Sequence, residues 1–174
     1  MKYTEQFTVN NFCYSIQSLD DYSYNITDLA ALKEVFDDTE VYKYVSSYAI
    51  EKYSITGTDD LARSFLETSS QRWKDKEELR FIVRSSATNE IAGVIGVNLD
   101  NEGNELWYYK SSKYKAFMST ALPLALKFVK EEGISDLVAN LDKDNYKSKR
   151  LLLELGFKLS SKDETDEYYE LFFF

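Results

Sequence analysis

Two short stretches of this chain hold most of the residues suited to chemistry. The first is NYKSKRLLLELGF, residues 145–157. Asn145 is placed to cap a helix, accepting from the backbone N–H of Lys147 or Ser148. The leucines that follow bury against a sheet. Gly156 takes a left-handed cap and Phe157 returns to the core. The second stretch is KSSKYKAFMSTALP, residues 110–123. Lys110, Lys113 and Lys115 crowd there in a chain whose formal charge is −9. With the hydroxyls of Ser111, Ser112 and Ser119 they are donors suited to an anion, although a solvated loop has the same composition. The chain has no histidine. That removes Ser-His and Cys-His nucleophile systems and the usual zinc sites. Acid–base work falls to Glu, Asp, Tyr, Lys or water.

The elements that must position these groups follow from periodicity. Residues 7–17, FTVNNFCYSIQ, alternate and predict a strand, with Cys13 in it as a small buried hydrophobe. TDLAALKEVFDDTEVYKYV, from Thr27, places Leu29, Leu32, Val35 and Phe36 on one helical face, capped by Thr27 or Asp28. Residues 58–73 predict a second helix, capped by Thr58 or Asp59, with Leu61, Phe65, Leu66 and Trp73 along one side. The period then changes to two. Residues 79–86 and 91–100 predict a hairpin, and Gly93 and Gly96 within it predict a bulge or a close backbone approach. ELWYYK, 105–110, is a third strand. Residues 117–132 predict an apolar helix ended by Gly133, starting near Ala121 or Leu122 because Pro123 belongs in a first turn. Residues 134–142 predict a strand, and FKLSS with EYYELFFF a closing antiparallel pair. The expected order is β-α-α-β-β-β-α-β-α-β-β, an α/β (α+β) mixed sheet with helices on its faces. Strand, helix and strand across 105–142 form a crossover, so that pair is parallel.

Bulk properties exclude whole classes. A length of 174 residues favours one domain, 1–174, with a sizeable core. An apolar fraction of 44% fits a packed fold rather than a disordered chain. Apolar runs are too short to span a bilayer, and MKYTEQFTVNNF lacks the pattern of a secretion signal. The expected setting is cytoplasmic, without a membrane or nucleic-acid partner, since an acidic surface repels phosphates. The same acidity suits a cationic partner.

The stretch ANLDKDNYKSKRLLLELGF resembles the end of the core motif of the GNAT superfamily of acyl-CoA-dependent N-acetyltransferases. In particular it is similar to the branch that acetylates ribosomal-protein N-termini, and to its small-molecule relatives. Asn145, Ser148, Leu155, Gly156 and Phe157 occupy the motif positions. TDLAALKEVFDDTEVYKYV resembles the family's first helix, with Thr39 where a proline is usual, and RFIVRSSATNEIAGVIGV resembles its central hairpin. The resemblance extends over roughly residues 10 to 173 and implies the family's fold, as a single GNAT-like domain.

The resemblance also implies a site. Acetyl-CoA would be the co-substrate, with no metal, and the acceptor a small-molecule amine or a peptide N-terminus. The slot for the pantetheine arm would lie between ELWYYK and LVANLD, bordered by Trp107, Tyr108, Tyr109 and Asn140. Asn145 would bond the pantetheine amides. Ser148 would give a proton to the departing thiolate, with Tyr146 as the alternative. Glu105 would be the base that deprotonates the amine, with Glu102 next in line. The family's pyrophosphate loop needs glycines for close backbone approach. No glycine lies between Gly103 and Gly133 here. Counting forward puts Ala116 and Met118 at the glycine positions, and counting back puts Lys113 and Lys115 there. Either Lys110, Lys113 and Lys115 replace the fitted amides, or the domain has become a binding or regulatory module that does not use CoA in the usual way. The three terminal phenylalanines are expected in the core or in a homodimer seam.

Overall fold

A computed structural model describes residues 3–42, 44, 55–100 and 103–173. Eight strands form one sheet: β1 Thr4–Val9, β2 Phe12–Ser18, β3 Glu78–Ser85, β4 Ile91–Asn98, β5 Glu105–Lys110, β6 Asp136–Asp142, β7 Lys158–Lys162 and β8 Asp166–Phe172. Their spatial order is β1-β2-β3-β4-β5-β6-β8-β7. Every neighbouring pair is antiparallel except β5 and β6, the pair joined by the predicted crossover. The helices that bear on the site, numbered in chain order, are α1 Ile26–Asp37, α2 Thr58–Lys74, α3 Met118–Glu131 and α4 Tyr146–Glu154.

The two faces of the sheet carry two cores. On one face, α1 and α2 pack Leu32, Val35, Phe36, Phe65 and Leu66 against Ile82 and Val94. On the other, α3 and α4 pack Leu122, Leu126, Val129 and Leu152 against Phe81, Ile95 and Leu137. Strand alternation therefore sends successive residues of β5 to opposite chemical environments.

Several sequence expectations are corrected. The predicted first strand is a hairpin, because Asn10 and Asn11 both adopt left-handed backbone (φ 50° and 67°) and reverse the chain. Two such residues form the tight turn whose twist matches flanking strands. Cys13 lies at the start of β2 and is exposed rather than buried. The cap of α1 is Asn25, which accepts from Thr27 and Asp28 while Asp28 bonds back to Asn25, a reciprocal capping box. Gly57 caps α2, and the Thr58 hydroxyl instead donates to Asp37 at 2.6 Å. Helix α3 begins at Met118, ahead of the expected start, with Pro123 inside it. Pro123 lies on the exposed side, where water can reach the carbonyl left without a partner. Of the α4 leucines only Leu152 is fully buried, and Leu153 is half exposed.

Both ends of α4 are as expected. Asn145 caps α4 by accepting from the Ser148 N–H at 3.2 Å, and Gly156 is left-handed at φ 92°. Gly133 is left-handed after α3. In β4 a register shift puts a bulge beside Gly93. A side-chain carbon at Gly96 would fall 2.0 Å from the Trp107 ring, so the indole lies directly against the β4 backbone. Phe172 is exposed, whereas Phe173 packs on the core. Among the described residues no helix is long and apolar enough to cross a membrane.

Candidate active site

Strands β5 and β6 meet at one backbone pairing, Glu105 with Val138. The Val138 N–H donates to the Asn104 carbonyl at 2.8 Å, and the Asn104 side chain donates to the Asp136 carbonyl at 3.2 Å. Beyond this point the strands part. Outer edges remain fully engaged: β5 pairs with β4 from Glu105 to Lys110, and β6 with β8 from Asp136 to Asp142. The facing edges from Leu106 to Lys110 and from Ala139 to Asp142 have no pairing with each other. The two strands thus do not pair with each other beyond this junction, and a wedge opens between them toward the start of α4. Unpaired strand edges in a sheet interior are rare, because exposed main chain needs partners. An extended ligand with amide groups would supply them.

Alternation divides the β5 side chains between two sides of the wedge. Glu105, Trp107 and Tyr109 face α1 and α2; Leu106 and Tyr108 face α3 and α4. On the first side, Phe36, Phe65, Trp107 and Tyr109 wall a cleft with Asn98 and Glu105. Its volume is about 120 Å³. The Trp107 indole donates to Asn98 Oδ1 at 3.3 Å, and Asn98 Nδ2 donates to Glu105 Oε2 at 3.3 Å. This chain of bonds holds the Glu105 carboxylate at the narrow end of the wedge. Glu102 lies outside the described residues.

On the other side stands the first turn of α4. The buried Tyr108 phenol faces Ser148 without forming a well-aligned hydrogen bond. Burial pushes its ionisation above the ordinary tyrosine value, with Ser148 partly opposing. The Asn145 side-chain oxygen is occupied by the cap, which leaves its NH2 group to donate elsewhere. The Tyr146 ring is 69% exposed and shares an outer surface with Lys149, Arg150 and Leu153, turned away from the wedge. Asn140 is exposed on β6, opposite Tyr168 of β8.

The loop from β5 to α3 contains no glycine. Ala116 is left-handed at φ 61°, a conformation glycine usually supplies. Helix α3 has no side-chain cap at its N-terminus, so its first N–H groups remain available to an anion. Lys110 is half-buried beside this loop. Burial lowers its ammonium's ionisation first, and the charges of Lys147 and Lys115 lower it further, against Asp38. Lys110, Lys115 and Lys147 therefore gather positive charge in one place. Lys113 turns the other way and forms an ion pair with Glu90 at 2.7 Å. Lys147 was not singled out by sequence reasoning; its signal is its position next to Ser148 on the cap turn. Asn98 was missed as well, a polar residue ending a strand that is otherwise apolar and buried. Among the described residues no cluster of His, Cys, Asp or Glu is arranged to hold a metal ion.

Comparison with known proteins agrees with this geometry. The sequence matches the acetyltransferase (GNAT) domain over residues 23–158. No curated protein matches the chain. Several solved structures share the fold. One is an acetyltransferase of the GNAT family from Bacillus anthracis, with TM-score 0.70 and 20% identity, covering 99% of this chain and 98% of that one. Another is ribosomal-protein-S5-alanine acetyltransferase from Vibrio fischeri, with TM-score 0.69 and 14% identity, covering 97% and 96%. A third is PaiA N-acetyltransferase from Thermoplasma acidophilum in complex with coenzyme A, with TM-score 0.67 and 21% identity, covering 92% and 99%. With the domain match spanning most of its length and the parted strands in place, this chain belongs to the GNAT acetyltransferase family.

Proposed function

We propose that this protein transfers an acetyl group from acetyl-CoA to a primary amine, a small molecule or a peptide N-terminus, by direct attack. The observation that carries the proposal is the wedge between β5 and β6, which pair with each other at Glu105 and Val138 alone. The coenzyme A bound by the Thermoplasma acidophilum relative supports the choice of donor. Acetyl-CoA supplies the activated thioester; the chain supplies position and proton handling. The facing edges of β5 and β6, with the Asn145 amide, would hold the pantetheine arm. Ala116, the open start of α3 and the ammonium groups of Lys110, Lys115 and Lys147 would receive the phosphates.

Glu105 accepts a proton from the acceptor ammonium, directly or through water, so that nitrogen becomes nucleophilic. The C–N bond forms as the C–S bond breaks. Across the reaction the ammonium loses two protons: one leaves through Glu105 to solvent and the other ends on sulfur. Ser148, beside the Tyr108 phenol, is the hydroxyl placed to deliver the latter. Tyr146 contributes nothing to this step from its exposed position.

A module that does not bind CoA is favoured by one observation: the Asp38 carboxylate already accepts from the Ser112 N–H at 2.7 Å, within the loop proposed to meet phosphate. Incubation with acetyl-CoA and a panel of amines separates the two. Release of free thiol with a mass gain of one acetyl group on the amine supports the transferase. Absence of both across amines and N-terminal peptides supports the module.

A further inference from the structure

The cleft on the α2 side of the wedge is specific enough in its chemistry to name an acceptor class. We propose that it takes a small monocationic amine with an aromatic body and no carboxylate, that is, an arylalkylamine. This rests on the transferase reading for its consequence, but not for its test.

The walls are a ladder of rings. Phe36 meets Phe65 edge to face at 5.9 Å, Phe65 meets Trp107 at 6.1 Å, and Trp107 lies tilted against Tyr109 at 5.6 Å. Gly96 lets the indole lie against the β4 backbone, because any side chain there would strike the ring. Pressed onto the sheet on that side, the indole lines the cleft as a flat wall. A second ring stacks well on such a surface, and an ammonium beside aromatic faces is attracted to them.

The charges decide the rest. Arg80 and Glu78 are both buried and pair at 2.6 Å. The Arg80 guanidinium also donates to the Phe65 carbonyl at 2.8 Å and sits over the Phe65 ring at 4.6 Å. Arg72 lies 3.5 Å from Glu77 and 3.7 Å from Glu78. Two cations are thus matched by two carboxylates at that end of the cleft. Glu77 lies outside the lining; among the described charged residues that do line the cleft, Glu105 is the one without an ion pair, held by Asn98 rather than by a base. A single ammonium satisfies it. An α-carboxylate on the same ligand would meet already neutralised guanidiniums and the Glu105 charge, which costs binding. A polyamine would leave further ammonium groups against apolar walls.

Tryptophan emission tests this without any turnover. The chain has two tryptophans, Trp73 and Trp107. Trp73 is packed in the opposite core, so a Trp73→Phe variant leaves Trp107 as the reporter. Titration with 2-phenylethylamine, with and without coenzyme A present, is expected to give a saturable change in emission. Phenylalanine and spermidine should bind more weakly by on the order of tenfold or more. Glu105→Gln should weaken 2-phenylethylamine by a similar factor while leaving the protein folded. The proposal is overturned if 2-phenylethylamine causes no saturable change under either condition, or if phenylalanine or spermidine binds as tightly. Amine binding without any stabilisation by coenzyme A would uphold the pocket and sink the transferase; the reverse pattern would do the opposite.

Discussion

Glu105 and Val138 form the one backbone pairing between β5 and β6, and the Glu105 carboxylate projects from that junction into the cleft walled by Trp107. The proposed base is thereby held where the wedge is narrowest, with Asn98 donating to it at 3.3 Å. A thioester arm laid along the free edges and an amine entering from the α2 side would meet next to this residue.

Replacing the carboxylate by its amide keeps the shape and removes the base. Glu105→Gln should lower kcat/KM by about 10²- to 10⁴-fold, the usual range for a general base. Affinity for acetyl-CoA should be unchanged, since on the proposed reading that ligand would lie along the backbone. Steady-state kinetics with isothermal titration would read both. Full activity in this variant would assign deprotonation to water or another group.

Asn145 has two candidate tasks, and one substitution separates them. Asp caps a helix about as well as Asn. Asn145→Asp should therefore keep the melting temperature but lose the NH2 donor, raising KM for acetyl-CoA. Asn145→Ala should lose about 1 kcal/mol of stability as well. An Asp variant with unchanged KM would leave Asn145 as a cap alone.

Gly96 is a packing requirement of the Trp107 wall of the cleft. A Gly96→Ala side chain would sit 2.0 Å from the indole, so Trp107 must move. Overpacking of this kind costs about 1–3 kcal/mol. Urea denaturation should show that loss, together with altered Trp107 emission in the native state. Wild-type stability and emission would mean that the ring is free to shift.

The β5–α3 loop is tied to the β3–β4 turn by Glu90, which accepts from Lys113 and from the Tyr114 hydroxyl. These bonds hold the Glu90 carboxyl at about 2, below its usual 4.5. A lowered carboxylate contributes stability above its unfolded value and loses it as pH falls through the folded one. Stability should therefore decline between about pH 4.5 and 2 partly through this group. A Glu90→Gln variant should show a shallower decline across that window in pH-dependent melts. An identical decline in both proteins would remove Glu90 from the account.

Much of the architecture was legible because periodicity and punctuation agree. The change from period 3.6 to period 2 at Leu79 marks the central hairpin, and the spacing from Glu105 to Asp142 requires a parallel crossover. Asn145 and Gly156 announce both ends of α4. The Asn10–Asn11 hairpin was hidden because apolar alternation runs through the turn on both sides. Cys13 looked buried for the same reason: strand pattern does not tell an edge hairpin's overhang from its centre. At the site, local sequence placed Glu105, Asn145 and Ser148 on elements that converge. It did not tell which lysines share a space, since Lys113 finds Glu90 on the β3–β4 turn while Lys147, on α4, acts on Lys110 at the end of β5. The left-handed Ala116 was equally invisible, because residue type alone argues against that backbone.

The central claim is that the parted strands receive a thioester-bearing arm, and a thermal melt with and without acetyl-CoA tests it most directly. At about one hundred times the dissociation constant a bound ligand adds about 2.7 kcal/mol. For a chain of this size that is a rise of roughly 5–10 °C. The account predicts a saturable rise of that order. No rise at millimolar acetyl-CoA would contradict it and leave the wedge without its proposed occupant.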